Sequence, residues 1–451
     1  MPVLLLALLP GAEAAGYYLA DPGVRSFSRG LAFVAGVDDL SAQYYNPAGL
    51  IRLRGGHVRF DMAGAYQSVT FNRADEPDND LTFDPIVNDA PPYPIPSIGV
   101  SHDFGLERFT FAFGLYPPYA PDITYPADGP QRYTLIESIV VQTQVGPSAA
   151  FRPHPWITLG AGVNWQLLIA GQTLVLTTDD PAGDIGFDMR ATDPFKISWN
   201  AGLLVGPPSE RVVVGASIQP PIQFNGRGYL EGDFTNHALY RNGIITDATT
   251  RDDDISLSVR MPLVLRAGVS VRPIEPLEIE LAGVLQRWST MDDIVVDDLQ
   301  LTVQNTFAPT TITDPVVLPA EYDDAWSLRL GGDFDINDRW TARAGTFYET
   351  SAVPTRRQNV SLPDAPKIGY GAGGSAHLGR RFTIDAGWSQ AFLLIPEITD
   401  SEVTQIKLDI NGGDVEDGKV VGNGEYRSRI LLFGASIDVA FSLPDNDAPP
   451  P

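Results

Sequence analysis

The sequence predicts an all-β fold, a 14-stranded antiparallel transmembrane β-barrel with an N-terminal hatch, a plug segment inside the lumen. Two observations predict the barrel: short turns recur along the chain, and the arms between them alternate apolar and polar residues. The turns lie near Asp103–Arg108, Arg152–Trp156, Pro207–Arg211, Arg272–Pro276, Asp335–Arg339 and Leu378–Arg381. Six short turns and seven long loops, with both chain ends on the short-turn side, give fourteen strands. Short turns on one rim and long loops on the other are typical of outer-membrane barrels.

The alternation is clearest in the predicted fifth strand. From Ile157 to Leu167 every second residue is apolar, and the residues between them are polar or glycine. In a membrane-spanning strand one face meets lipid and the other meets the lumen. Glycines recur on the polar faces of several predicted strands, at Gly160, Gly162, Gly268, Gly345, Gly369, Gly371 and Gly387. Because glycine allows another chain segment to approach closely, these positions indicate a lumen occupied by the hatch.

Four regions are expected along the chain. Residues 1–14 are predicted to be a signal peptide, because a short apolar stretch is followed by Ala12-Glu13-Ala14, which fits a cleavage signal. The alternative is a buried first strand. Residues 15–56 have no clean period and include the turn-forming Asn46-Pro47-Ala48, so they are assigned to the hatch. Residues 57–441 form the barrel, and residues 442–451 form a short tail rich in proline and aspartate.

Acidic residues outnumber basic ones by 56 to 31, a formal net charge of −25. This charge argues against nucleic-acid partners and against a polybasic membrane anchor. The acids concentrate in long loops, at Asp75–Asp80, Arg251–Asp254 and Met291–Asp298. We interpret these clusters as solvated loop residues, with divalent-cation binding as the alternative. No apolar run reaches the roughly 18 residues of a spanning helix, so a soluble all-β sandwich or propeller remains a competing fold.

The candidate motifs for catalysis or cofactor binding lack the spacing or the structural context that such sites require. Gly369–Gly374 satisfies the GxGxxG pattern, but the chain continues as a strand and a turn and does not open a helix. The five histidines have no ligand spacing, no GxSxG occurs, and cysteine is absent. The sequence therefore predicts no enzyme, no catalytic residue, no metal site and no cofactor.

Several segments together resemble one family. The opening AGYYLADPG, the run DDLSAQYYNPAGL, the segment GLYPPYAPDITYPADGPQRY and the loop SAVPTRRQNVSLPD are similar to FadL/TodX-type outer-membrane transporters of fatty acids and hydrocarbons. The resemblance spans essentially the whole mature chain. It implies a monomeric barrel in the bacterial outer membrane that captures a hydrophobic small molecule with its extracellular loops. It also implies lateral release into the membrane through an opening at an inward kink in the third strand.

Carried onto this chain, the resemblance assigns three groups of residues. The hatch or gating residues are Asn46, Pro47 and Ala48, and the third strand is Phe109–Tyr119. The lateral opening is expected either at Pro117 and Pro118 or nearer Phe113 and Gly114. Basic residues that meet a fatty-acid carboxylate are proposed to be Arg266, Arg329 and Arg343. The alternative role of these arginines is pairing with the lumen acids Glu278, Glu280 and Asp333.

The resemblance also implies partners and leaves competing functions open. The expected surroundings are outer-membrane lipid and lipopolysaccharide, and the terminal aromatic Phe441 is the usual signal for the barrel-assembly machinery. The acidic loops would repel a carboxylate, whereas a neutral hydrocarbon would be indifferent to them. A second function is a scaffold or shuttle for secreted proteins, which some relatives perform. A third is a general porin, against which the hatch argues because it would block a water-filled lumen.

Overall fold

The computed structural model describes the chain from residue 22 to residue 442 with short gaps. The described ranges are 22–76, 80–89, 91–119, 122–178, 183–291, 293–313, 315–318, 321–361, 363–408 and 415–442, together with the backbone of 13–14. The predicted tail, and all of the predicted signal peptide except the backbone of 13–14, lie outside these residues. Glu13–Ala14 pairs in parallel with Ser351–Ala352.

Fourteen long antiparallel strands form one closed barrel. They are β1 Gly56–Arg73, β2 Tyr93–His102, β3 Phe109–Tyr119, β4 Glu137–His154, β5 Ile157–Leu176, β6 Ile185–Val205, β7 Val212–Gln219 continued by Ile222–Asp233, β8 Thr249–Met261 continued by Leu263–Ile274, β9 Leu277–Arg287, β10 Ala325–Asn337, β11 Trp340–Glu349, β12 Lys367–Leu378, β13 Phe382–Leu393 and β14 Gly424–Ser442. Strand β14 pairs with β1 from Arg73↔Gly424 to Gly56↔Ser442, which closes the barrel. The predicted fourteen-stranded barrel is confirmed.

All six predicted turns join neighbouring strands at one rim. The connection is shortest where His154 pairs with Ile157, where Ile274 pairs with Leu277 and where Asn337 pairs with Trp340. The other rim carries the long loops, which add short strands of their own. These are Ile86–Val87, Asp122–Thr124, Ile294–Asp297, Leu301–Val303, Thr310–Ile312, Val316–Leu318, Thr404–Leu408 and Val415–Val420.

The two faces of the wall differ as the alternation predicts. In β5 every second residue from Thr158 to Gln166 is buried, and those between them are exposed on the outer surface. The outer surface is a belt of large apolar side chains, among them Phe60, Phe113, Val163, Trp199, Leu281, Leu330, Trp388 and Phe433. An apolar belt of this extent requires lipid around it. The competing fold, a soluble sandwich or propeller, is therefore wrong.

The N-terminal segment, residues 22–55, fills the lumen. It contains helix α1 (Val24–Ser28), helix α2 (Ala42–Tyr45) and a 3-10 helix (Pro47–Arg52). From Val24 to Leu53 its aliphatic and aromatic side chains are at most 6% exposed. The long loops add helix α3 (Ala238–Arg241) and two 3-10 turns, Trp288–Thr290 and Thr355–Arg357. Within the part of the chain that the structure describes, every helix is too short or too polar to cross a membrane.

Candidate functional site

Glycines on the lumen face let the N-terminal segment lie directly against the wall. A Cβ at Gly160 would overlap the backbone of Pro47 and Ala48, and one at Gly345 would overlap the carbonyl of Arg29. The same holds at Gly202, Gly215, Gly331, Gly371 and Gly387, each of which faces a residue of the segment. Gly162 and Gly369 instead make room for side chains of the wall itself. Most of the lumen glycines therefore form a surface fitted to the segment.

The predicted gating turn lies against β5 and β6. Asn46 is fully buried, and its Oδ1 accepts a hydrogen bond from Ala48 N at 3.2 Å, which caps the following 3-10 helix. Its Nδ2 donates to Val34 O at 3.0 Å and to Leu203 O of β6 at 3.2 Å. Pro47 begins the helix, a position where its missing N–H costs nothing. Asn46 thus joins two parts of the N-terminal segment to the wall, and its gating role stays a prediction.

A buried carboxylate holds the first half of the segment. Glu280 of β9 is fully buried and accepts hydrogen bonds from three consecutive backbone amides: Val34 N at 2.6 Å, Ala35 N at 2.9 Å and Gly36 N at 2.8 Å. Hydrogen bonds to a charged acceptor are roughly twice as strong as neutral ones. Glu280 therefore holds three consecutive amides of the segment with charge-assisted hydrogen bonds.

Arg29 completes this attachment. Its guanidinium lies 3.0 Å from Glu278 Oε1, 3.5 Å from Glu280 Oε2 and 3.2 Å from Asp333 Oδ1. Although burial by itself would lower the pKa of Arg29, the carboxylates of Asp333, Glu278 and Glu280 raise it above its ordinary value. Arg29 therefore stays charged inside the barrel and compensates the buried acids.

The three arginines proposed for ligand binding all lie in the lumen beside partners within the protein. Arg266 places its guanidinium 4.7 Å from the ring centre of Tyr44, in a cation–π contact. Arg329 donates to Ser327 Oγ at 2.9 Å and to Leu31 O at 3.3 Å. Arg343 binds the lumen acids Asp333 and Asp385, each at 3.2 Å. The lumen acid Glu278 pairs instead with Arg29 and Arg272, and Glu280 pairs with Arg29 and the segment backbone. A ligand role for the three arginines stays a prediction.

The third strand departs from regular geometry close to its prolines. Phe113 and Gly114 pair regularly with Pro147 and Gly146 of β4, and Phe113 points outward, 51% exposed. The register then shifts between Tyr116 and Tyr119, where the β3 side contains one extra residue. Tyr116, Pro117 and Pro118 are buried in succession, so the alternation ends and the strand bends inward. The irregularity thus lies at Pro117 and Pro118 and not at Phe113 and Gly114, and the lateral opening itself stays a prediction.

The bend separates β3 from β2. Their ladder ends at the pair Ile98↔Leu115, although β2 continues to pair with β1 as far as Tyr93. Asp89 lies before β2 and Thr124 lies after β3. Among the described residues, the next backbone hydrogen bond beyond that pair runs from Asp89 N to Thr124 O at 2.8 Å. We call the unpaired stretch between these two points the wall window.

Tyr116 joins the edge of the wall window to the N-terminal segment. Its hydroxyl donates to Leu40 O at 2.7 Å and accepts from Gln43 Nε2 at 2.7 Å. Gly114 makes this possible, since a Cβ there would lie 2.5 Å from Gln43 Nε2 and 2.7 Å from Tyr116 Oη. The phenol hydroxyl therefore serves as donor and acceptor at once. Sequence reasoning missed Tyr116 and Gln43 as site residues.

A cavity of about 280 Å³ lies at the long-loop end of the lumen. Its lining is more apolar than polar, and its charged side chains, Arg357, Glu402 and Asp417, come from the long loops, which we call its mouth. The apolar part is lined by Val140, Ala170, Leu174, Met189, Leu257, Val259, Ile294, Val317 and Tyr322. The long loops supply more than half of the lining residues, and the long-loop ends of β4, β5, β6 and β8 supply the others. We call it the upper cavity.

An ion network closes one side of the upper cavity. Arg357, at its mouth, lies 3.1 Å from Glu321 and 3.2 Å from Glu402, and Arg356 contacts the same two carboxylates at 2.7 and 3.0 Å. Among the described residues, Arg357 is the only lysine or arginine that lines the upper cavity. Its charge is therefore already compensated by two acids.

A second cavity, of about 370 Å³, lies at the short-turn end beneath the N-terminal segment. Charged and polar side chains line it: Arg25, Asp38, Asp39, His57, Arg59, Arg272, Glu275, Glu278, Asp333, Asp335, Arg343, His377 and Asp438. A surface of this kind holds water and is unfavourable for an apolar molecule.

Within the described part of the chain, no three histidine, aspartate or glutamate side chains are grouped to hold a metal ion.

Comparisons with known proteins agree with this architecture. A family model described as "Outer membrane protein transport protein (OMPP1/FadL/TodX)" matches residues 6–441. An outer membrane protein of Neisseria meningitidis serogroup B is 20% identical over 464 residues, which cover 95% of this chain and 95% of that protein. A Pseudomonas aeruginosa FadL homologue has a TM-score of 0.74 at 17% identity, covering 95% of this chain and 100% of that one. The Pseudomonas putida toluene transporter TodX has a TM-score of 0.64 at 14% identity, with coverage of 95% and 100%.

Proposed function

Because the chain belongs to the OMPP1/FadL/TodX family of outer-membrane transport proteins, we propose that it carries hydrophobic small molecules, long-chain fatty acids or hydrocarbons, into the outer membrane. The family is one of transport proteins rather than enzymes, and the short turns face the periplasm in barrels of this kind. The ligand enters from the long-loop side, occupies the upper cavity and leaves sideways through the wall window. The observation that supports the proposal is the order of three features: a largely apolar cavity lies at the long-loop end, a polar one lies at the short-turn end, and the ladder between β2 and β3 ends at the wall window, whose edge contacts the N-terminal segment.

The upper cavity is the proposed capture site. Apolar walls with a few polar groups at the mouth are typical of small-ligand sites. Transfer of a hydrophobic ligand from water to such walls is favourable, with a free energy of roughly 25 cal/mol per Å² of apolar surface removed from water. A cavity of about 280 Å³ holds one aromatic ring with room to spare, since one of about 150 Å³ binds benzene.

The lining favours an uncharged ligand over a carboxylate. Arg357 is paired with Glu321 and Glu402, and Asp417 adds a further acid to the lining. A fatty-acid carboxylate at this mouth would compete with existing ion pairs and meet net negative charge. We therefore place neutral hydrocarbons ahead of fatty acids as the ligand class.

Lateral release follows from the two cavities. The lower cavity is polar, so an apolar ligand that passed through it would have to be rehydrated at the expense of its capture energy. The wall window leads instead to hydrocarbon. The N-terminal segment contacts the edge of the wall window through Tyr116, and Asn46 holds its turn against β6. Movement of the Asn46-Pro47-Ala48 turn is the proposed gating step.

Uptake of radiolabelled toluene and, separately, radiolabelled oleate tests the proposal in cells that lack their own transporter. Deletion of Pro118 removes the extra residue between Tyr116 and Tyr119 and restores the register with β4. Straightening β3 lets it pair with β2 and closes the wall window. We expect the deletion to abolish uptake, whereas Pro118→Ala, which keeps the residue count, retains it. Asn46→Ala, which frees the gating turn, alters uptake of the same ligand.

The outcomes separate the steps. If the Pro118 deletion variant forms a folded barrel and still takes up the compound that the wild type takes up, lateral release is refuted. Failure of the wild type to take up either compound would refute transport of those ligands. Toluene uptake without oleate uptake supports the neutral-ligand assignment, and the reverse result contradicts it.

A further inference from the structure

The N-terminal segment is attached to the wall by two different kinds of contact. Residues 24–36, which we call the anchor segment, are held by charged groups. Glu280 accepts the amides of residues 34–36, and Arg29 binds Glu278, Glu280 and Asp333. Val24 N also donates to Asp61 Oδ1 of β1 at 3.2 Å. Charge-assisted hydrogen bonds buried in the lumen are strong and costly to separate.

Residues 40–48, the latch segment, are held mainly by neutral hydrogen bonds, together with a cation–π contact from Arg266 of β8 to the ring of Tyr44. The sequence LSAQYYNPA contains no aspartate, glutamate, lysine, arginine or histidine. Its hydrogen bonds to the wall come from uncharged partners: Asn200 Nδ2 donates to Gln43 O and Ser217 Oγ donates to Tyr45 O, both at 2.5 Å. At the wall window its partner is Tyr116, which contacts Leu40 O and Gln43 Nε2. Neutral hydrogen bonds exchange readily for bonds to water.

We propose that the N-terminal segment does not leave the lumen as one body: the latch segment swings away while the anchor segment stays, and Tyr116 is the latch residue that holds it closed at the wall window. This inference rests on the proposed transport function and names its regulation. It assigns Tyr116 a positioning role, because its hydroxyl ties the moving part to the strand that borders the route. Release of one phenol then frees the segment and the window edge together.

The movement is measured without any ligand by cysteine labelling. The chain has no native cysteine, and Ala42 of the latch segment and Ala32 of the anchor segment are both fully buried, so Ala42→Cys and Ala32→Cys are matched probes. Full-length protein in outer-membrane vesicles is treated with a charged maleimide. We expect the cysteine at position 42 to react faster than the one at position 32. Tyr116→Phe keeps the ring and removes only the hydroxyl, and it should raise labelling at position 42 about tenfold while leaving position 32 unchanged.

A reversible cross-link tests the same movement during uptake. A Cβ at Gly99 of β2 would lie 3.5 Å from Leu40 Cβ, inside the range of roughly 3.5–4.5 Å found in disulfides. The double variant Leu40→Cys/Gly99→Cys therefore fixes the latch segment beside the wall window when oxidised. Uptake of radiolabelled toluene should be lost on oxidation and return on reduction, while each single variant is insensitive to oxidant.

Several results would overturn the proposal. Equal labelling of the two positions means that the whole segment moves, and no effect of Tyr116→Phe removes the latch. Continued uptake with the disulfide fully formed shows that the latch segment need not move. If the wild type takes up no toluene, the proposed function fails for that ligand, but the labelling rates still decide where the segment opens.

Discussion

Replacing Glu280 with glutamine tests the anchor most directly. The carboxylate accepts three backbone amides and lies 3.5 Å from Arg29. If the glutamine oxygen keeps the bonds to Val34 N and Ala35 N, its amino group faces Gly36 N, so two donors oppose each other. The charge that strengthened all three bonds is also lost. Breaking a buried charged contact of this kind costs about 3–5 kcal/mol.

The assay is hydrogen exchange at the amides of residues 34–36, followed by mass spectrometry of the purified barrel in lipid nanodiscs. A loss of about 4 kcal/mol corresponds to roughly a thousandfold faster exchange wherever local opening controls the rate. The effect should be largest at Gly36. Glu321→Gln is the control, because that carboxylate is exposed and its ion pairs with Arg356 and Arg357 are screened by solvent. Unchanged protection in the Glu280→Gln variant, with a folded barrel, would refute the account of the anchor.

Three further predictions concern a lumen glycine, a loop carboxyl and the ion network at the upper cavity. Gly160→Ala places a methyl group on the backbone of Pro47 and Ala48 and should destabilise seating of the gating turn by about 1–3 kcal/mol, seen as faster tryptic cleavage at Arg52 and Arg54. Gly283→Ala, whose Cβ would lie 3.8 Å from its nearest neighbour, is the matched control and should leave cleavage unchanged. Burial raises the pKa of Asp364 to about 6 despite Lys367, so this loop carboxyl takes up a proton in the folded state between about pH 4 and pH 6, and its contribution to stability falls as pH rises through that window. Asp364→Asn should flatten this dependence in exchange measurements at Ala352, whose amide donates to Asp364 Oδ2 at 3.1 Å; a slope unchanged by the substitution assigns the proton elsewhere. The double variant Glu321→Gln/Glu402→Gln frees Arg356 and Arg357 at the mouth of the upper cavity and should raise oleate binding about fivefold with toluene binding unchanged. Equal changes for both ligands would show that the network acts on access and not on charge.

The amino-acid sequence was enough to predict the barrel, because the features that define it depend on residues that are neighbours in the chain. Alternation marks which face of each strand meets lipid, and six turns with the chain ends on one side set the strand count. The same patterning supported the family resemblance, which is confirmed. The lumen glycines indicated a filled barrel, although Gly162 and Gly369 face the wall's own side chains and not the N-terminal segment.

The binding partners of the charged lumen residues could not be predicted from the sequences of the strands that carry them. Arg266, Arg329 and Arg343 have the residue type and face that a carboxylate site would need. Only the folded chain brings Tyr44, Leu31 and two lumen acids against them. The sequence identified Glu280 as a lumen acid. The residues around it do not predict that the backbone amides of residues 34–36 bind its carboxylate.

The sequence by itself determined the strands, the face that each side chain takes and the family, because each depends on the order of neighbouring residues. The tertiary structure decided where β3 bends, which arginines are already paired, and that Tyr116 meets Leu40 and Gln43. These facts depend on how the N-terminal segment lies within the closed barrel, where residues far apart in the chain come within hydrogen-bonding distance. A register shift of one residue or a different path of that segment would change all of them without altering the alternation of a single strand.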